Sequence, residues 1–93
     1  MEHKRTVEVY KALADDIRLG IIRQVAAANG PVMSCDIVKS CARFTKMSQP
    51  AMSHHFGKLV DAGVLIEEKS GTQKRYTIHS EFMASVGVDV TKL

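Results

Sequence analysis
The stretch SQPAMSHHFGKLVDAG, Ser48 to Gly63, constrains the fold of this chain more than any other. Ser48 is a good helix N-cap, and Pro50 falls within the first turn, where its missing N–H breaks no helical hydrogen bond. Ala51, Met52, Phe56, Leu59 and Val60 then recur at helical spacing on one side, and Ala62 with Gly63 closes the element. The spacing predicts a helix over residues 48–62 with one buried face. Gln49, Ser53, His54 and Lys58 point largely elsewhere, so its N-terminal end is a tip of hydrogen-bonding side chains.

The segment after that helix narrows the fold further. VLIEEKSGTQKRYTI has apolar Val64, Leu65 and Ile66, a polar middle around Ser70 and Gly71, then Tyr76 and Ile78 alternating with polar neighbours. This is a hairpin signature, with Lys69, Lys74 and Arg75 near its tip. Upstream, Val7, Val9, Tyr10 and Leu13 predict a first helix over residues 5–13. A second begins at Asp15 or Asp16, carries Ile17, Ile21, Ile22 and Val25 on one stripe, and stops at Asn29, Gly30 and Pro31. Ser34 is expected to cap a shorter third helix through Lys39, with an indistinct end between Ser40 and Phe44. Ser80 is expected to cap a short last helix stopped by Gly87, and the tail VDVTKL is expected to be loose.

With 93 residues and 45% apolar content, the chain suits one domain over residues 1–93, small enough that association would help its core. No apolar run approaches the roughly 20 residues needed to span a bilayer, and the charged start lacks a signal peptide's apolar block, so a cytoplasmic location is expected. The net charge of +3 is uneven: residues 43–75 carry six Lys/Arg against three acids, while both flanking segments are nearly balanced. The surplus therefore surrounds the polar-tipped helix. No Gly-rich phosphate loop, nucleophile elbow or assembled Cys/His pair is present, so enzyme function is not expected. Adjacent helical residues diverge by about 100°, and no ligand lies at metal spacing from His54 and His55, so neither a metal nor a cofactor is expected. Cys35 and Cys41 read first as small semi-buried residues and second as a thiol sensor. Arg18 reads equally as a phosphate contact or a partner of Asp15.

Helix, helix, short helix, tight connection, polar-tipped helix, basic hairpin is the order of a winged helix-turn-helix, mainly α with a small β-hairpin. The full expected order is α-α-(short β)-α-α-β-β-α. A helix entering the major groove must offer short hydrogen-bonding groups to base edges, and flanking cations hold its register on phosphate. Ser48, Gln49, Ser53, His54, His55, Lys58, Lys69, Lys74 and Arg75 are the candidate DNA-binding residues, with His55 read equally as a partly buried helix residue. The competing reading is a winged helix used for protein contacts alone, which would be expected to show an apolar or aromatic outward face.

The blocks KALADDIRLGII, SQPAMSHHFGKLVDAGVL and GTQKRYTI, in this order and spacing, resemble the arsenic-repressor (ArsR/SmtB-type) transcriptional regulators. The resemblance implies a homodimeric repressor that binds double-stranded DNA at an inverted-repeat operator and releases it when an inducer binds. It places the first and last helices in the dimer interface, here through Val7, Tyr10, Phe82, Met83 and Val86. MSCDI keeps Cys35 and Asp36 of the family's Cys-x-Cys-Asp element but has Met33 at the first cysteine, so a three-thiolate site is incomplete. The ligands that zinc and nickel sensors carry along the last helix are essentially missing, with only His79 and Glu81 before Gly87. Thr72 stands where the family often has Arg after the wing glycine, a charge that Lys74 and Arg75 would supply.

Overall fold
The computed structural model describes residues 2–28 and 30–93. Its elements run α1 (Glu2–Leu13), α2 (Asp16–Ala27), β1 (Val32–Met33), α3 (Ser34–Lys39), α4 (Ala42–Thr45), α5 (Gln49–Asp61), β2 (Leu65–Ser70), β3 (Gln73–Ile78), α6 (Ser80–Ser85) and a 3₁₀ turn (Val90–Lys92). The expected winged helix-turn-helix order is present, with α3 and α5 as its two principal helices and β2–β3 as the wing. Among the described residues no helix is long and apolar enough to cross a membrane.

The helices converge on one core. Val9 of α1, Ile21 and Ile22 of α2, Ile37 of α3, Leu59 of α5, Val64 and Met83 of α6 are wholly buried. The sheet is antiparallel in the order β1-β3-β2. Val32 pairs with Tyr76 and Met33 with Arg75, so the short β1 fastens the start of α3 to the wing. Gly71 has φ +65° and is followed by Thr72 with negative φ, the pattern of a type II′ hairpin turn, which matches the twist of the strands it joins. Counting outward, the turn sets Lys69 opposite Lys74 and Glu68 opposite Arg75.

Both terminal turns of the helices that frame the wing close in Schellman motifs, which satisfy otherwise orphaned carbonyls. After α5 the Val64 N–H donates to the Leu59 carbonyl at 3.0 Å, and after α6 the Val88 N–H donates to the Met83 carbonyl at 2.9 Å. Gly63 makes the first motif possible: its φ is +85°, and a Cβ there would lie 2.9 Å from the Phe82 ring. Gly63→Ala combines left-handed strain of about 1–2 kcal/mol with that clash. Its urea midpoint is expected to fall with an unchanged m-value, and a midpoint equal to the parent's would show that neither the strain nor the clash is felt.

Several boundaries differ from the sequence expectation, each for a visible reason. The first helix begins at Glu2 rather than residue 5, because its polar first turn is helical without contributing to the apolar stripe. Asn29, part of the expected stop of the second helix, lies outside the described residues. Met33, not Ser34, occupies the N-cap of α3 and makes no side-chain cap bond, since β1 runs straight into the helix. The indistinct segment after Ser40 is a separate helical turn, α4, that inserts Phe44 into the core beside Gly20. At α6 the cap is His79, whose Nδ1 accepts from the Phe82 N–H at 3.2 Å, and Ser80 is the first helical residue. The tail is not loose: Val88 is buried, and Val90 and Leu93 pack against the core. Asp89 caps its 3₁₀ turn through Thr91, whose hydroxyl and N–H hold the Asp89 carboxyl below its usual range.

Candidate nucleic-acid interface
The polar tip of α5 arises from three local decisions of the sequence. Ser48 accepts a hydrogen bond from the Ala51 N–H at 3.2 Å, and Pro50 sits in the first turn where no N–H is required. Met52, Phe56 and Leu59 anchor the inner face. Gln49, Ser53, His54 and Lys58 are left exposed on the outer side. The helix is thus fixed by its apolar stripe while its donors and acceptors remain free for an external partner.

Phe56 ties this helix to the wing. Its ring stacks on Tyr76 of β3 with centroids 4.6 Å apart and planes 4° from parallel. Tyr76 in turn donates from its hydroxyl to the Glu67 carboxylate at 3.1 Å. Burial, reinforced by the Glu67 charge and this hydrogen bond, pushes the phenol pKa up, so the donor persists across all physiological pH. A groove of about 580 Å³ opens between α3, α5 and the hairpin, walled by Cys35, Lys39, Gln49, Ser53, Gly57 and Lys74. Gln49 and Ser53 of the tip and Lys74 of the wing therefore line one concavity.

The wing is less positive than its lysines and arginine suggest. Lys74 Nζ lies 3.9 Å from Glu67 and Arg75 Nη2 lies 3.9 Å from Glu68, so two of the three wing cations sit beside acids of the facing strand. Lys69 is exposed. The pairing is legible in principle: a two-residue turn at Gly71–Thr72 fixes Glu68 across from Arg75. Partly exposed pairs at this distance are weak and partly screened, so the cations remain available to a polyanion.

His55 does not stand with the outward residues. Its side chain is 16% exposed, its Nδ1 lies 3.3 Å from Arg18 Nη1, and Asp15 Oδ2 is 3.7 Å away. The ring turns inward because its position on α5 falls beside the buried stripe, over the start of α2. Arg18 is likewise engaged inside the protein, with Nε donating to the Ala12 carbonyl at 2.7 Å. Asp15 caps α2 by accepting from the Arg18 N–H at 3.0 Å, and this bond holds its carboxyl below the usual range. Arg43 pairs with Asp16 and joins α4 to the same corner.

Of the residues expected at a dimer interface, Met83 and Val86 are taken up by the protomer's own core, since α6 lies flat on it. Tyr10 is 48% exposed and donates from its hydroxyl to the Val86 carbonyl at 2.9 Å. Val7 and Phe82 are half-buried, and the Arg5 guanidinium lies over the Phe82 ring at 4.7 Å. Cys35 and Cys41 are free thiols, Cys35 exposed and Cys41 half-buried at the start of α4. Among the described residues no three His, Cys, Asp or Glu side chains gather as a metal site would require.

A small helical domain with a polar-tipped helix beside a cationic hairpin is a winged helix-turn-helix DNA-binding module. The chain belongs to the bacterial ArsR regulatory family, whose profile its residues 15–67 match. It is similar to the arsenical resistance operon repressor of Staphylococcus xylosus, 30% identical over 83 residues that cover 89% of this chain and 74% of that one. It is also 34% identical over 77 residues to an uncharacterised HTH-type transcriptional regulator of Methanocaldococcus jannaschii, covering 83% and 81% of the two chains. Among solved structures, a homodimeric winged helix-turn-helix DNA-binding domain from Mycobacterium bovis superposes with a TM-score of 0.70 at 26% identity, covering 89% of this chain and 71% of that one. The protein is accordingly a DNA-binding transcriptional regulator and not an enzyme.

Proposed function
We propose that this protein is a dimeric repressor that binds an inverted-repeat operator and leaves it in response to a signal. The observation that carries the reading is the exposure of Gln49, Ser53 and His54 together on the first turns of α5, beside the groove shared with the wing. Gln49 and Ser53 supply hydrogen-bonding groups of the size that reads base edges, and the Ser48 hydroxyl and Lys58 lie where phosphate would flank them. Lys69, Lys74 and Arg75 contact the backbone. In the dimer, Tyr10, Val7 and Phe82 meet their counterparts, and the two recognition helices lie about 34 Å apart, one turn of B-DNA. The homodimer in the solved relative from Mycobacterium bovis supports this assembly.

The test is selection of duplexes from a randomised 40-base-pair library by the purified protein. Enrichment of sequences with two-fold symmetry and half-sites one turn apart is expected, and enrichment of nothing above background would contradict the proposal. On the selected duplex, Lys74→Ala with Arg75→Ala is expected to weaken binding to all sequences alike. It is also expected to flatten the salt dependence of log K by about one to two units, because each phosphate neutralised contributes about 0.9. An unchanged slope would remove the wing from the contact set.

A further inference from the structure
The corner where α1, α2 and α5 meet holds polar groups that the DNA-facing surface does not use. Arg18 is anchored there by its Nε bond to the Ala12 carbonyl, at the negative end of α1, and extends Nη1 toward His55 Nδ1 at 3.3 Å. A guanidinium only donates, so in this contact Nδ1 is the acceptor, as in the tautomer that carries its proton on Nε2. Asp15 and Arg18 from α2 are the charged groups that face the ring, and His54 on the same helix meets it edge-on at 5.9 Å. Asp15 Oδ2, at 3.7 Å from Nδ1, is beyond hydrogen-bond reach and already accepts from the Arg18 N–H. His55 comes directly after His54 and lies two residues, about half a turn, beyond Ser53, so whatever fixes its ring also fixes the angle of that tip.

We propose that His55 is a positioning residue: its Nδ1 accepts from Arg18 and seats the recognition helix on the α1–α2 corner, in the orientation that binds DNA. The inference rests on the DNA-binding reading given above. It adds that an internal contact of the recognition helix sets operator affinity.

His55→Ala and His55→Asn separate this role from a general packing role. The Asn carbonyl oxygen branches from Cγ as Nδ1 does, accepts from Arg18, and does not titrate. Binding of the library-selected duplex is measured for the parent and both variants at pH 7.5, with circular dichroism to confirm folding. At pH 7.5 His55→Ala is expected to bind about tenfold more weakly, as befits loss of one charge-assisted hydrogen bond, and His55→Asn to stay within about threefold of the parent. If His55→Asn is as weak as His55→Ala, the proposal is overturned. A selected duplex that all three proteins bind alike overturns this inference alone, whereas failure of the parent to select any duplex overturns the DNA-binding reading beneath it.

Discussion

Phe56→Ala is expected to lower the melting temperature by on the order of 20 °C, the largest stability effect of any single change to the recognition helix. Truncating a buried Phe costs about 3–5 kcal/mol through lost burial and the cavity left behind, and a domain of this size shifts by about 4–8 °C per kcal/mol. Phe56 is 5% exposed, and its ring lies flat on Tyr76. The same ring therefore serves the core and the junction between α5 and the wing. Phe56→Leu retains most of the apolar volume and loses the aromatic stack, which is worth about 0.5–1.5 kcal/mol beyond area, so its melting point is expected to lie much closer to the parent's. Thermal unfolding monitored at 222 nm reads both. A Phe56→Ala melt within a few degrees of the parent would mean that Met52 and Leu59 hold the helix without it.

The contrast between Phe56 and its neighbour shows how the sequence divides its information. Phe56, Met52 and Leu59 are legible as a buried stripe because helical periodicity is a local signal. So are Ser48 as a cap, Gly63 as a stop and the hairpin around Gly71, each of which is written in one or two residues. The stacking of Phe56 on Tyr76, a strand residue well beyond the end of the helix, is a tertiary fact that periodicity does not carry. The same holds for His55, whose position beside the stripe leaves it equally readable as buried or exposed. Its partner Arg18 lies 37 residues upstream and reads from sequence as a contact to phosphate or Asp15; its N–H and its charge do meet Asp15, and its guanidinium also reaches the Ala12 carbonyl and His55, which the sequence does not show.

Differences at the helix caps have a related origin. Ser34 and Ser80 are good caps by type, but β1 leads directly into α3 and leaves Met33 at the cap, and the His79 ring reaches the Phe82 N–H first. The tail VDVTKL reads as loose because its apolar residues show no clean period. It is ordered because Val88, Val90 and Leu93 find apolar contacts on the core, a site that exists only once the other helices are assembled. For the interface, the exposed tip of α5 is legible from the helix pattern, while the neutralising effect of Glu67 and Glu68 requires the strand register. Met83 and Val86 show the same limit in reverse. An apolar face on a short terminal helix has two uses, a partner or the chain's own core, and the pattern alone does not choose between them.

The central claim is that the tip of α5 reads base sequence and the cations around it supply sequence-independent affinity. The direct measurement compares parent and Gln49→Ala/Ser53→Ala protein on the library-selected duplex and on a scrambled duplex of equal length, at one salt concentration. Each lost base contact costs about 1–3 kcal/mol of discrimination, so the ratio of specific to scrambled affinity is expected to fall by about 30-fold or more. Affinity for the scrambled duplex is expected to stay within about threefold, because no phosphate contact has been removed. A double variant that retains the parent's ratio would contradict the account, since the helix tip would then be exposed without reading anything.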